Sequence, residues 1–496
     1  MTRCAAHRTA VLLALCSALV AAGCSGSSRH RSSAGTAAPA SSTPAPSDPS
    51  TATAAPTTTT AAAPLSTPPS TPTSTEDDWP AFGRSAARTG LAPAGPRPQG
   101  IARRWQSPVL DGLVYAQPLV VADLVIAATE GDTVYGLHAS DGTVAWQQNL
   151  GQPVAGRQLP CGNIDPSGIT GTPVVDPATN TVYVVAFVQP LRHDLVALDL
   201  TTGAPKWRRP VDPPGLSATV EQQRSALTIA NGRVYVAFGG LYGDCGPFKG
   251  AVVSSALDGS GGLATWTVRA ARQGGIWAPT GPVVDGAGNL FVATGNTEPP
   301  DAFNDGNAVI RLTPGLQAVD AFAPRNFADL SRADLDLGSE SPALIDGGLA
   351  FVAGKDGQGY LLDAAHLGQV GGQVFAAPVC RSGAFGGTAW ASPVLVVGCA
   401  DGPVALQVQG RSFRAAWTGG GGEGGVPAVA DGTAWVAQRR GHLVGLAVAS
   451  GAVQVDVDLG TPLAGFPSPS VTPTLVLVPG SNRVLAYGPL SGGAQL

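Results

Sequence analysis

The sequence predicts an all-β protein, an eight-bladed β-propeller whose blades are four-stranded antiparallel sheets. After Trp79, short β-branched runs alternate with Gly, Pro, Asn and Asp, as expected for many short strands. A unit of about 40 to 60 residues recurs along this region, which is the length of a propeller blade. Eight such units can be counted, and the last one lacks an outer strand of its own.

Residues 1–23 are predicted to be a lipoprotein signal peptide. Arg3 and Arg8 supply positive charge, the apolar run "TAVLLALCSALVAA" is too short for a membrane span, and "AAGC" follows it. This ending resembles the lipobox of bacterial lipoproteins, which implies a diacylated Cys24 that anchors the protein at the outer face of the cell membrane. The alternative is a conventional cleaved signal peptide that leaves Cys24 free.

Residues 24–78 are predicted to form a disordered tether. Their composition is dominated by Ser, Thr, Pro and Ala, with almost no large apolar side chains. Such a segment buries too little apolar surface to offset the entropy of ordering. We therefore expect a flexible stalk that leads to a folded domain at residues 79–496.

The repeat is clearest in its third and fourth strands. The segment "ALDLTTGAPKW", residues 197–207, has near copies that begin at Gly136 and Ala256. Its glycine permits a tight hairpin, and its Trp is placed to cover the apolar face of a neighbouring blade. The Trp series is therefore predicted to be structural.

The repeat also indicates how the ring closes. The chain ends its last blade at "RVLAYGPL" without a Trp strand, whereas Trp105 in "GIARRWQSPV" belongs to no blade of its own. An N-terminal strand at Trp105 is therefore predicted to complete the eighth blade. Inner strands are predicted to start at Gln117, Thr172, Ser225, Thr280, Ser341, Ser392, Val426 and Ser468.

The charge of the chain argues against one class of function. The net charge is −5 and no basic stripe is present, so nucleic-acid binding is not expected.

Four cysteines lie beyond the signal region, and in an exported protein they are expected to form disulfides. They allow three pairings. We favour Cys161 with Cys245 and Cys380 with Cys399, because the second pair brackets one outgoing and returning segment.

The motif "AxDxxTGxxxW" at residues 197–207 and the eight-unit count resemble the PQQ-repeat propellers. This family includes quinoprotein alcohol dehydrogenases and non-catalytic relatives, among them an outer-membrane assembly lipoprotein. The segments "CGNIDPSGITGTPVVD", "GGLYGDCGPFKG", "GGIWAPTGPVVD" and "DLGSESPALIDGG" are similar to those of a group of bacterial PQQ-binding-like secreted lipoproteins.

The dehydrogenase resemblance implies a cofactor site with calcium beside the quinone. By motif position, Trp277 matches the Trp on which PQQ stacks, and Lys355 matches the cation that contacts its oxygens. Asn296 and Asp244 match calcium ligands. The two acidic residues Asp334 and Asp336 lie where the catalytic base is expected. Oxygen ligands for a hard cation and a carboxylate base would suit alcohol oxidation.

Each of these residues also has a simpler interpretation. Trp390, in "AWASPV", is interpreted as the repeat-equivalent of Trp277, so both could be aromatic residues at the channel mouth. Asn296 could cap a strand, Lys355 could be a solvated turn residue, and the two acidic residues could be loop-end caps.

Two functions follow from the sequence. The favoured one is an extracytoplasmic, membrane-anchored scaffold that binds a small ligand or an envelope protein at the propeller mouth. The alternative is an alcohol or sugar dehydrogenase that depends on PQQ and Ca²⁺.

Overall fold

The computed structural model describes residues 75–489. The predicted signal peptide, Cys24 and the tether up to residue 74 lie outside the described residues. Within residues 75–489, no helix is both long and apolar enough to cross a membrane.

Nearly all of the regular structure is β-strand, arranged in eight blades. Blade 1 contains β2 (Leu119–Val121), β3 (Leu124–Ala128), β4 (Thr133–His138) and β5 (Val144–Asn149). Blade 2 contains β6 (Val174–Asp176), β7 (Thr181–Val188), β8 (Arg192–Asp199) and β9 (Pro205–Pro210). Blade 3 contains β11 (Thr228–Ala230), β12 (Arg233–Gly240), β13 (Ala251–Ala256) and β14 (Ala264–Thr267), with β10 (Glu221–Gln222) beside β12. Blade 4 contains β16 (Val283–Val284), β17 (Leu290–Ala293), β19 (Val309–Leu312) and β20 (Ala318–Ala323), with β24 (Gln369–Val370) parallel to β20.

The remaining blades follow the same order. Blade 5 contains β21 (Ala343–Ile345), β22 (Leu349–Ala353), β23 (Gln358–Asp363) and β25 (Phe375–Pro378). Blade 6 contains β26 (Ala384–Ala391), β27 (Val394–Cys399), β28 (Val404–Gln409) and β29 (Ser412–Thr418). Blade 7 contains β30 (Ala428–Ala430), β31 (Thr433–Gln438), β32 (His442–Ala447) and β33 (Val453–Asp458). Blade 8 contains β34 (Ser470–Val471), β35 (Val476–Pro479), β36 (Val484–Pro489) and β1 (Ile101–Gln106).

Short elements occupy the connections. Strands β15 (Arg272–Gln273) and β18 (Thr297–Glu298) form a small ribbon beside blade 4. One helix, α1 (Phe327–Arg332), and three 3₁₀ turns, η1 (Gly156–Gln158), η2 (Pro177–Thr179) and η3 (Leu337–Ser339), complete the described elements.

The eighth blade is closed by the N-terminal strand, as predicted. Strand β1 pairs antiparallel with β36, with Ile101 opposite Pro489 and Trp105 opposite Ala486. The pairing covers what would otherwise be an unpaired strand edge and joins the two ends of the ring.

One predicted inner strand was wrong. Blade 6 begins with β26, Ala384–Ala391, so Ser392 lies in the turn after that strand and not at its start. Trp390 is inside β26, 7% exposed, and packs in a core cluster with Phe413. Because Trp277 instead precedes the first strand of its blade, the two residues are not repeat-equivalent. An Ala-Ser-Pro sequence in a strand-joining turn was mistaken for the Pro-led start of a strand.

Adjacent blades are joined by a tryptophan that lies against a glycine. The indole Nε1 of Trp105 donates to the carbonyl of Ala139 at 2.8 Å, and a Cβ on Gly142 would lie 2.4 Å from the same ring. Trp146 repeats the contact with Gly203. Equivalent pairs are Trp207 with Gly259 and Trp417 with Gly451. These four Trp residues are therefore structural, and they fasten the outer strands of blades 8, 1, 2 and 6 to the hairpin of the next blade.

A segment absent from the sequence-based prediction closes one end of the central channel. We call residues 79–92 the plug segment. Its backbone forms hydrogen bonds with the first strands of blades 1, 2, 4, 6 and 7. The side chain of Arg88 donates to Thr228 in the first strand of blade 3. Phe82 is 2% exposed and packs between Ala226 of blade 3 and Val426 of blade 7. The plug segment therefore closes the central channel at this end.

The first prediction concerns the tryptophan–glycine contact that closes the ring. Gly142→Ala should lower the free energy of unfolding by about 3 kcal/mol, because φ is +74° and a Cβ would overlap Trp105. Gly232→Ala is the matched control, because its φ is +69° but nothing lies within 4 Å of the added Cβ. Its cost should be only about 1 kcal/mol. Equal losses in denaturant melts would show that the indole contact contributes nothing.

The second prediction concerns the plug segment. Phe82→Ala should cost about 3 to 5 kcal/mol, the usual range for emptying a buried aromatic site. The control is Tyr242→Ala, since Tyr242 is 69% exposed and its loss should change stability by less than about 0.5 kcal/mol. Chemical denaturation measures both. A plug that is peripheral to the fold would give similar small values for the two variants.

Candidate functional site

A cavity of about 770 Å³ occupies the channel at the end opposite the plug segment. Its walls are residues at or before the start of first strands and the loops between second and third strands. The plug segment contacts the far ends of the same first strands. We call this space the channel cavity, and it is blind because the plug segment closes the other end. Its volume is in the range of small-molecule sites.

The structure brings the six sequence-predicted site residues into this one cavity. Its lining includes Asp244, Trp277, Asn296, Asp334, Asp336 and Lys355. They come from loops of blades 3, 4 and 5, which the ring places side by side.

Lys355 is the centre of the acidic side of the channel cavity. Its Nζ lies 2.6 Å from Asp336 Oδ2 and 3.3 Å from Asp334 Oδ1. It also lies 5.4 Å from the centroid of the Trp277 ring, in reach of a cation–π contact. Burial lowers the pKa of Lys355, but the two carboxylates outweigh this and leave it above its ordinary value. Lys355 is therefore a charged ammonium held between two carboxylates.

Asn296 is fixed by a hydrogen-bond network rather than left free to bind a metal. Its Nδ2 donates to Asp334 Oδ1 at 2.6 Å, and its backbone N–H donates to Asp336 Oδ1 at 2.7 Å. Its Oδ1 accepts from Asn307 Nδ2 at 3.2 Å. Asn307, which the sequence analysis did not single out, is fully buried and also accepts from the Leu337 N–H at 2.7 Å.

This arrangement does not fit a calcium ion. Calcium takes six to eight oxygen ligands, whereas here an ammonium occupies the space between Asp334 and Asp336. Among residues 75–489, no group of three or more His, Cys, Asp or Glu side chains is placed to hold a metal. Asp244 lies at the exposed mouth, where partial desolvation raises its pKa and the charges of Asp336 and Asp334 add to the effect.

The opposite side of the channel cavity is aromatic and basic, and sequence reasoning missed it. The rings of Phe385 and Phe466 stack at 6.0 Å and 14°, and Trp277 lies 6.4 Å from Phe466. Arg224 lies over Phe466 with its Cζ 5.0 Å from the ring centroid. Tyr115 completes this wall. Tyr115, Arg224 and Phe466 each lie four positions before the first strand of their blade, so a stricter alignment of the repeats could have identified them.

A disulfide fixes the rim of the channel cavity. Cys161 is bonded to Cys245, and Cys380 to Cys399, as predicted. The first bond joins the loop that carries Asn163 to the loop that carries Asp244, and both residues line the cavity. The rim therefore keeps a fixed outline between blades 2 and 3.

Beneath the cavity wall lie carboxyl groups that are deeply buried. Asp132 is fully buried and neither side-chain oxygen has a hydrogen-bond partner in the described structure. Burial raises its pKa to about 9, with a further increase from Glu130. Burial also raises the pKa of Glu130 to about 7 and that of Glu221 to about 8. Asp132 and Glu221 therefore favour the protonated form at neutral pH, and Glu130 is partly protonated.

The comparisons with known proteins agree with the architecture. A PQQ-repeat family model, described as outer membrane protein assembly factor BamB, matches residues 102–239. Quinohemoprotein alcohol dehydrogenase ADHIIG from Pseudomonas putida HK5 superimposes with a TM-score of 0.66 at 15% identity, over 85% of this chain and 81% of that one. The same enzyme class from Comamonas testosteroni gives 0.65 at 14% identity, over 85% and 81%.

A structure of BamB has a similar fold. BamB from Moraxella catarrhalis superimposes with a TM-score of 0.55 at 14% identity, over 78% of this chain and 99% of that one. The search of curated proteins found no match. The predicted resemblance to PQQ-repeat propellers is confirmed, and at these identities the structural similarity shows the fold and not the activity.

The third prediction concerns pH. Asp132 has a folded pKa of about 9 and an unfolded pKa of about 4, so the folded state binds the extra proton between these values. The contribution of Asp132 to the free energy of unfolding should therefore fall as pH rises from about 4 to about 9. Asp132→Asn removes this contribution, so its stability relative to wild type should increase with pH in denaturant melts. The exposed Asp123→Asn is the control. If the free energy of unfolding changed with pH in the same way for wild type and Asp132→Asn, the raised pKa of Asp132 would be contradicted.

Proposed function

We propose that this chain is an extracytoplasmic, membrane-anchored propeller lipoprotein that binds a small organic ligand in the channel cavity without chemically transforming it. The observation that carries the proposal is the blind cavity of about 770 Å³ with an aromatic wall and several polar side chains. Apolar walls with a few placed polar groups are typical of small-molecule sites. Export and anchoring rest on the signal sequence and Cys24.

A small ligand suits the site better than a protein surface. The channel cavity is recessed, closed behind by the plug segment and fixed at its rim by the Cys161–Cys245 bond. A protein partner usually needs a total interface of about 1,200 Å² or more. The BamB comparison supports a binding role at the level of the fold, because the matching family model is described as an outer membrane protein assembly factor.

The second candidate is the PQQ- and calcium-dependent alcohol or sugar dehydrogenase. It is favoured by one observation, the convergence of Trp277, Asn296, Lys355 and the Asp334–Asp336 pair in one cavity. The contacts of the two carboxylates weigh against it, because Asp336 is paired with the Lys355 ammonium and Asp334 accepts a hydrogen bond from Asn296. We therefore rank this candidate below the binding protein.

The fourth prediction tests ligand binding. Fractions of a cell-envelope extract should contain a small molecule that raises the Tm of the purified Cys24→Ser protein by several degrees at saturation. Trp277→Ala should lose most of this increase, because it removes the aromatic surface shared by Lys355 and Phe466. Val453→Ala is the control, since Val453 is 64% exposed on β33. An increase that survives in Trp277→Ala, or no active fraction, would contradict binding in the cavity.

The same protein separates the two candidates. Incubation with PQQ and Ca²⁺ should give neither saturable quinone binding nor dye reduction by alcohols or aldose sugars. Saturable binding that is abolished by Asn296→Ala, together with turnover, would replace the binding proposal with the dehydrogenase.

A further inference from the structure

Arg224 differs from the other cations that line the channel cavity. Lys355 contacts Asp336 and Asp334, and Arg439 Nη1 lies 2.7 Å from Glu423 Oε2. Within residues 75–489, Arg224 has no carboxylate within 4 Å and makes no hydrogen bond.

The surroundings of Arg224 leave its positive charge largely uncompensated. Loss of hydration lowers the pKa of Arg224 and the charge of Arg439 adds to this effect, whereas Tyr115, Glu130 and Glu423 oppose it. The two Glu130 oxygens already accept from Gly168 N at 2.6 Å and Thr170 Oγ1 at 2.8 Å. Burial also raises the pKa of Glu130 to about 7, so its negative charge is incomplete at neutral pH.

Arg224 is half-buried and lines the channel cavity, so its N–H groups face the space that a ligand would fill. A ligand that displaces water from this space must replace the hydrogen bonds that these N–H groups make to water. Phe466 offsets part of this cost through the cation–π contact, but a ring face accepts no strong hydrogen bond. The five donors of the guanidinium form a planar fork that matches two carboxylate oxygens. An acidic ligand would supply the acceptors that the chain does not.

We propose that Arg224 is the anion-binding residue of the channel cavity, and that the ligand is a monocarboxylate attached to a flat apolar body. This inference rests on the proposed function and specifies its ligand class. The carboxylate pairs with the Arg224 fork, and the apolar body packs against Trp277, Phe385 and Tyr115. Arg224 is the lining cation available to such a ligand, because Lys355 and Arg439 already contact carboxylates of the chain.

The fifth prediction uses two probes of nearly identical shape, naphthoate and naphthamide, which differ in charge. Calorimetric titration of the Cys24→Ser protein should show naphthoate binding at least about tenfold more tightly than naphthamide, the ratio expected for one charged hydrogen-bonding pair. Arg224→Gln should remove this preference and leave naphthamide binding unchanged. Arg224→Lys should retain part of it, because the charge remains while the fork is lost.

Arg414→Gln is the matched control, because Arg414 is exposed on the outer strand β29. It should bind both probes as wild type does. Equal binding of the two probes by wild type would overturn the anion site and leave the binding protein intact. Failure of both probes to bind at millimolar concentration would overturn the anion site and the proposed function together. A preference that persists in Arg224→Gln would assign it to another residue and also overturn the inference.

Discussion

Closure of the ring by β1 is the constraint on which the remaining structure depends. The pair β1–β36 joins residues at opposite ends of the described chain, Ile101 and Pro489. Forming it carries a large loop-closure cost, which the Trp105 contact with blade 1 and the sheet hydrogen bonds must offset. Only a closed ring brings Tyr115 and Phe466 to the same cavity wall, although they are far apart in sequence. The cavity is therefore a property of the whole ring and not of any blade.

The closed and plugged ring also determines the electrostatics of the cavity. Water enters from one end only, so charges along the wall interact more strongly than they would in open solvent. The chain satisfies most of them internally, with Lys355 between two carboxylates and Arg439 beside Glu423. A site in which Lys355 is neutralised in this way is poorly suited to a dication. The unpaired Arg224 is the feature that remains for an external ligand.

Much of the fold could be predicted from the sequence, because the period, the turn glycines and the tryptophans are all local signals. Closure by the Trp105 strand could be predicted because a strand was missing at one end and left over at the other. The plug segment could not be predicted, because residues 79–92 have no repeat pattern and are fixed by tertiary hydrogen bonds. The position of Trp390 was misassigned because a Ser-Pro pair marks a turn as readily as a strand start. Motif positions identified the Lys355 side of the cavity, but the role of Arg224 depends on which partners are absent, which only coordinates reveal.

Hydrogen exchange of the β1 amides measures ring closure most directly. If β1 completes the eighth blade, its amides paired with β36 exchange only through global unfolding, with the same free energy of opening as the amides of β3 in blade 1. Rapid exchange in residues 101–106 while β3 stays protected would show an open arc. In that case the Arg224 wall and the Lys355 wall would not form one enclosed cavity, and the proposed ligand site would have no physical basis.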